Sequence, residues 1–127
     1  MKTLILSRYG SVDNLTIADR PKPTPSDDQI LIRIHAASIN DWDLANLKGG
    51  FNRLFGGLLR PKIVLGCDVA GEVEAVGKRI VAFKPGDRVY GDLCRHGFGA
   101  FQQYVCVPET AVRSMSSRMT YEQAASI

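Results

Sequence analysis

Two polar side chains near residue 40 have the types and the spacing to take part in chemistry. Asn40 and Asp43 follow an alternating apolar segment and stand where a short helix is expected to begin. We predict both as catalytic residues and Asn40 as a cofactor-binding residue, because an amide can hydrogen-bond a cofactor or a substrate. Asn40 is equally well explained as a helix N-cap, which would leave its NH2 group free. Asp43 is also explained as a first-turn carboxylate that interacts favourably with the helix dipole.

The chain has three cysteines, Cys67, Cys94 and Cys106. Their odd number and the lack of a Cys-x-x-Cys pair argue against a disulfide framework and favour a reducing compartment. Cys67 is predicted to face a substrate pocket, although no sequence neighbour would lower its pKa. Cys94 and His96, with Cys67, form only a weak metal-binding pattern, so no metal ligand is predicted.

An apolar segment with glycines follows the expected helix. Phe51, Phe55 and Leu58 are predicted to line the substrate pocket, and ordinary loop packing is an equal alternative. Trp42 is expected to be a packed aromatic rather than a surface on which a substrate stacks.

Many short strands must position these side chains. Residues 29–39 are expected to form a strand, because isoleucines alternate there with other residues, two of which are polar. A helix is expected over 40–48, ended by a pair of glycines. Close strand spacing with glycine and proline between strands predicts a mainly β fold, a partly open barrel with a few short helices. Further strands are expected over 1–8, 15–18, 69–76, 88–90 and 100–107, and a capped helix over 120–127.

Composition restricts the function classes. The chain has 127 residues, 45% of them hydrophobic and 23% charged, which fits one globular domain. The net charge is +3 without a basic stripe, so nucleic acid is not an expected partner. The N-terminal apolar stretch is too short for a signal peptide, and a cytoplasmic protein without a membrane partner is expected.

Two segments carry a family resemblance. Residues 61–77, with the pattern Gly-x-Asp-x-x-Gly-x-Val, and residues 83–91 resemble the catalytic domain of medium-chain dehydrogenases/reductases. That family pairs a GroES-like β-barrel with a Rossmann domain. Residues 99–104 are similar to a further strand of that domain, and residues 120–125 to the helix that leads into the nucleotide-binding half. The resemblance implies that 1–127 is the GroES-like, substrate-side domain, and a helix that stops mid-course on apolar residues indicates truncation before the Rossmann domain.

The resemblance also implies a zinc-free branch. Zinc alcohol dehydrogenases of the family carry Cys-x-x-Asp and Gly-His-Glu, where this chain has Asn40 and Cys67 at the ligand positions. An Asn-x-x-Asp segment is similar to the quinone-oxidoreductase branch, in which NADPH reduces a small quinone or enone without zinc. Asn40 would then face the nicotinamide, which would be bound mainly by the missing domain. Phe51 stands where that branch often has a tyrosine, which weakens the assignment to classical quinone reduction.

The cofactor, the oligomeric state and the alternative functions are the remaining expectations. The choice between NADPH and NADH belongs to the missing half, and the isolated chain is expected to be inactive. The parent is expected to dimerise through its nucleotide domain, which leaves this chain a monomer. The alternatives are a zinc-type alcohol dehydrogenase relative, or a non-enzymatic module that docks a protein or a membrane through residues 51–59. A co-chaperonin-like subunit is disfavoured by the dehydrogenase pattern at 66–73.

Overall fold

Alternating apolar residues form two antiparallel sheets in the computed structural model, which describes residues 1–49 and 63–127. The smaller sheet has the order β2-β1-β4. Its strands are β1 (Lys2–Leu6), β2 (Leu15–Asp19) and β4 (Ile63–Val64).

The larger sheet positions most of the polar side chains of interest. It has the order β7-β3-β5-β6-β8, and every neighbouring pair is antiparallel. Its strands are β3 (Gln29–Ala37), β5 (Asp68–Val76), β6 (Arg88–Asp92), β7 (Tyr104–Pro108) and β8 (Val112–Ser114).

The main core lies on one face of this larger sheet. Ile30 and Ile32 of β3 are fully buried there, as the alternation predicts, and they pack with Val73 and Val107. Leu31 points to the opposite face and is nevertheless buried. The central strand is therefore covered on both faces at this point, which a simple inside–outside alternation does not predict.

Small residues of β5 let neighbouring backbones approach closely. A Cβ atom on Gly71 would collide with the carbonyl oxygen of Arg33 on β3. Ala70 is fully buried against Ala124 and Ala125. The small residues at 70 and 71 therefore bring β5 close to its neighbours.

Among the described residues, two short α-helices lie against the sheets. Helix α1 spans Asp41–Leu47 with Asn40 as its N-cap, and helix α2 spans Tyr121–Ala125 with Thr120 as its N-cap. Thr120 Oγ1 accepts the main-chain N–H of Gln123 at 3.1 Å, and Gln123 Oε1 accepts that of Thr120 at 3.0 Å. The cap predicted for this helix is confirmed, and it is a complete capping box.

Side chains from the sheet fasten α2. The rings of His35 and Tyr121 stack with their centroids 4.1 Å apart, and the guanidinium of Arg88 lies 4.7 Å from the Tyr121 ring centroid. Arg88 Nη2 also donates to the carbonyl oxygen of Met119 at 2.7 Å. These contacts fix α2 on β3 and β6.

The predicted mainly β fold with a few short helices is confirmed. Within residues 1–49 and 63–127, the two sheets do not close into one barrel. The strand expected over 100–107 begins only at Tyr104. The short strands β4 and β8 were not predicted, because two or three residues are too few to show a period. Within the described ranges, no helix combines the length and apolar character needed to cross a membrane.

Candidate functional site

A cavity of about 530 Å³ opens where the N-terminus of α1, the start of β5 and the turn after β6 meet. Its size falls in the range of small-ligand pockets. Described residues that line it are Asn40, Trp42, Cys67, Asp68, Asp92, Cys94, Arg95 and Phe98.

Asn40 is held in the cavity wall by a polar network. Its amide nitrogen donates to Asp68 Oδ2, and also to Ser38 Oγ at 3.3 Å. Ser38 Oγ in turn donates to Asp68 Oδ2 at 3.3 Å. The expectation of a free NH2 group is therefore wrong, because Asp68 Oδ2 and Ser38 Oγ accept its two N–H bonds. The amide oxygen faces the main-chain N–H of Asp43 in the capping box of α1. It keeps a second lone pair that Asn40 can offer to a ligand.

Asp43 lies behind Asn40 and does not line the cavity. Its side chain is 3% exposed, and Oδ2 accepts the main-chain N–H of Asn40 at 2.9 Å. This bond is the reverse half of the capping box at the start of α1. Asp43 thereby fixes the backbone of Asn40, and its first-turn position agrees with the structural alternative considered above.

Burial raises the pKa of the Asp43 carboxyl, and the nearby negative charge of Asp68 raises it further. The N–H groups of Asn40, Gly66 and Cys67 act in the opposite direction. Those of Gly66 and Cys67 face the carboxylate without completing a hydrogen bond to Oδ1, which has no partner among the described residues. The net effect is a carboxyl that holds its proton more strongly than an exposed aspartate.

Cys67 and Cys94 are joined by a disulfide with a Cα–Cα distance of 5.0 Å. The prediction that the cysteines form no disulfide is therefore wrong. The antiparallel register explains the pairing, because Asp68 faces Asp92 and places Cys67 beside the residues that follow β6. Neither the spacing of 27 residues nor the odd cysteine count signals such a contact in the sequence. Cys106 is the free cysteine.

The disulfide lies in the wall of this cavity. Cys67 itself is 2% exposed, whereas Cys94 is partly exposed. Asp92 completes a cluster with the two sulfur atoms, and His96 is not a member of that cluster. The third member of the cluster is therefore Asp92, and not the His96 of the weak metal-binding pattern in the sequence.

Two aromatic side chains and one arginine also line the cavity. Trp42 is 58% exposed, so its prediction as a packed aromatic is wrong. Phe98 has a φ of 63°, a left-handed conformation that is uncommon for an aromatic residue. Arg95 is the only cation among the described lining residues, which also include the carboxylates of Asp68 and Asp92.

The predicted pocket residues Phe51, Phe55 and Leu58 lie outside the described residues. Asp68 and Arg95 were not predicted as site residues. Asp68 is part of the Gly-x-Asp pattern, which was the available signal, whereas no pattern distinguishes Arg95 from other surface arginines.

The chain is similar in sequence to a known domain family and to known dehydrogenases and reductases. Residues 26–117 match the alcohol dehydrogenase GroES-like domain family. The chain is 38% identical over 121 residues to a dehydrogenase, orf1, of Aspergillus niger, covering 91% of this chain and 34% of that protein. It is 34% identical over 134 residues to the 2-methylene-furan-3-one reductase of Solanum lycopersicum, covering 100% of this chain and 34% of the reductase.

A solved structure shows the same fold. The quinone oxidoreductase of Coxiella burnetii superposes with a TM-score of 0.90 at 29% identity, over 100% of this chain and 40% of that protein. The predicted GroES-like fold is confirmed by this match. The chain spans about a third of the length of the curated relatives it matches.

Proposed function

Because the chain belongs to the alcohol dehydrogenase GroES-like domain family, among quinone-oxidoreductase-like medium-chain dehydrogenases/reductases, we propose that residues 1–127 form the substrate-side domain of an oxidoreductase. The reaction is the reduction of a small quinone or an enone by NAD(P)H, with NADPH as the expected donor. The names of the tomato reductase and of the Coxiella enzyme support these two substrate classes. The cytoplasm is the proposed compartment.

The observation that carries the proposal is the cavity beside Asn40. A nicotinamide, held mainly by a nucleotide-binding domain, supplies a hydride when it is bound. The Asn40 amide oxygen can accept a hydrogen bond from a carboxamide, and Asp68 and Ser38 hold the amide in one orientation. The cavity, at about 530 Å³, has room for a nicotinamide ring or a small ketone.

The cavity also contains a side chain that can stabilise the charge that develops on the substrate. The β-carbon of an enone is electrophilic, and a hydride added there leaves negative charge on the carbonyl oxygen. Arg95 lines the cavity and can donate hydrogen bonds to this enolate oxygen. The α-carbon then takes a proton from water, so that one hydride and one proton are added in all.

No zinc is required at the position of the family's catalytic metal. Asn40 stands where zinc enzymes of the family have a cysteine thiolate as a metal ligand. Its amide nitrogen donates to Asp68, and a neutral amide is a weak zinc ligand. Asp43 acts through Asn40 as a positioning residue, since its carboxylate holds the N–H of Asn40 and does not line the cavity.

The test is nicotinamide consumption. The whole protein that carries this chain, incubated with NADPH or NADH, is expected to oxidise the cofactor only when a benzoquinone or a small vinyl ketone is added. The 127-residue chain alone is expected to give no turnover. Turnover by the chain alone would contradict its role as one half of a site, and no consumption by the whole protein with either substrate class would contradict the activity.

A further inference from the structure

Cys67, Asp92 and Cys94 are the only group of three potential metal ligands among the residues that the structure describes, and their ligand atoms lie within 4.8 Å of one another. We propose that these three side chains bind one thiophilic divalent cation, of the zinc type, once the Cys67–Cys94 disulfide is reduced. The oxidised pair cannot bind the ion, because both sulfur atoms are committed to each other.

The donor set and the spacing suit zinc. Two thiolates and a carboxylate are common zinc ligands, with zinc–sulfur bonds of about 2.3 Å. Two sulfur atoms on a tetrahedral ion of that kind lie about 3.8 Å apart. The reduced sulfur atoms need to separate only to this distance, which side-chain rotation provides. The fourth position would open toward the cavity and take a water molecule.

The backbone keeps the ligands together without the disulfide. Asp68 and Asp92 face each other in the β5–β6 pairing, and Leu93 donates its N–H to the carbonyl oxygen of Cys67 at 2.8 Å. Asp92 Oδ1 accepts the N–H of Cys94 at 2.8 Å, which orients the carboxylate and leaves Oδ2 for the ion. The site is therefore largely formed before the ion arrives.

Reduction is favoured at one sulfur atom. Cys94 is partly exposed and Cys67 is buried, so a small dithiol attacks Cys94 Sγ and Cys67 leaves as a thiolate. The second thiol of the reductant then releases Cys94 and becomes part of a cyclic disulfide. Two electrons pass from the dithiol to the protein pair. The two protein thiols lose two protons when they bind the ion.

This site shares Cys67 with the zinc position that the family resemblance implies, but Asn40 is not a ligand and the other two ligands come from residues 92–94. The ion would replace the disulfide as the cross-link between the start of β5 and the turn after β6. The inference does not depend on the proposed oxidoreductase activity.

The test is a cobalt and zinc titration of the full chain carrying Cys106→Ser, which removes the free thiol. One sample is reduced and freed of reductant, and a second is oxidised. The reduced protein is expected to bind one Co²⁺ with a thiolate-to-cobalt charge-transfer band, and one Zn²⁺ by native mass spectrometry. The oxidised protein is expected to bind neither. Absence of the band in reduced protein would overturn the proposal.

Matched variants test the ligand set. Asp92→Asn is expected to weaken zinc binding by about 10-fold or more, since even outer-shell partners contribute that much. The exposed carboxylate of Asp19 provides the control, and Asp19→Asn is expected to leave the affinity unchanged. His96→Ala should also leave it unchanged. Loss of binding in His96→Ala with full binding in Asp92→Asn would overturn the ligand assignment. Asp92 is exposed, so its variant is expected to fold even if Cys94→Ser does not.

Discussion

The side-chain N–H of Asn40 donates a hydrogen bond to the carboxylate of Asp68, which links the start of α1 to the start of β5 in the cavity wall. The two residues are 28 positions apart in the sequence. Their bond orients the amide oxygen, which caps α1 and keeps a lone pair for a ligand. Asp68 is therefore the residue on which the proposed role of Asn40 depends.

The change Asp68→Asn should lower kcat/KM of the whole protein. An asparagine can turn its own NH2 group toward Asn40 and release the amide from its orientation. Misplacement of a positioning group costs at least about 10-fold in rate. Steady-state kinetics with an enone as substrate measure the effect.

Asp41→Asn is the control for this variant, because Asp41 is an exposed carboxylate on α1 that does not line the cavity. Its kinetics should match the wild type. If both variants lose activity equally, the Asn40–Asp68 bond has no special part in the reaction.

Arg95→Ala should reduce kcat by about 100-fold, the usual loss on removing a donor to a developing oxyanion. Arg95→Lys retains the charge and should recover part of the rate. Arg118, an exposed arginine away from the described cavity lining, provides the matched control in Arg118→Ala. Unchanged kcat in Arg95→Ala would exclude the arginine as the enolate donor.

The buried carboxyl of Asp43 makes stability depend on pH in a definite direction. Its pKa in the folded chain lies above the ordinary aspartate pKa, so the folded state binds more protons between these two values. The contribution of Asp43 to the free energy of unfolding is therefore largest below the ordinary pKa and declines as the pH rises through the folded pKa.

Asp43→Asn removes this titration while its amide oxygen can still accept the N–H of Asn40. The variant should therefore gain stability relative to the wild type as the pH rises from the acid range toward neutrality. Urea unfolding at a series of pH values measures the difference. A difference that is independent of pH, or that falls as the pH rises, would show that burial does not raise this pKa.

Gly71→Ala should destabilise the chain by about 1–3 kcal/mol, the usual cost of overpacking. The new methyl group would meet the Arg33 carbonyl oxygen and Ile32 Cγ2, which leaves no room between β3 and β5. Thermal unfolding measures the loss. An unchanged midpoint of thermal unfolding would mean that β3 and β5 can move apart without a loss of stability.

The elements were predictable where their pattern is long and local. Alternation over residues 29–37 and the capping residues Asn40 and Thr120 specify β3, α1 and α2, because side-chain period and capping are properties of neighbours in sequence. The strands β4 and β8 exist only because longer strands pair with them.

The site was predictable only in part. Asn40 and Cys67 were identified from a motif, but their partners Asp68 and Cys94 follow from strand register, which local sequence does not encode. The pairing of Asp68 with Asp92 creates both the disulfide and the cluster with Asp92. Arg95 belongs to the site because its turn lies on the cavity, a tertiary fact without a sequence signature.

The most direct test of the proposed function follows the hydride itself. The whole protein that contains this chain is incubated with an enone and a nicotinamide cofactor carrying deuterium at the transferable position. We expect a saturated ketone with one deuterium at the β-carbon for each cofactor oxidised, and a solvent proton at the α-carbon. Cofactor oxidation without a reduced ketone, or a product without deuterium at the β-carbon, would contradict it.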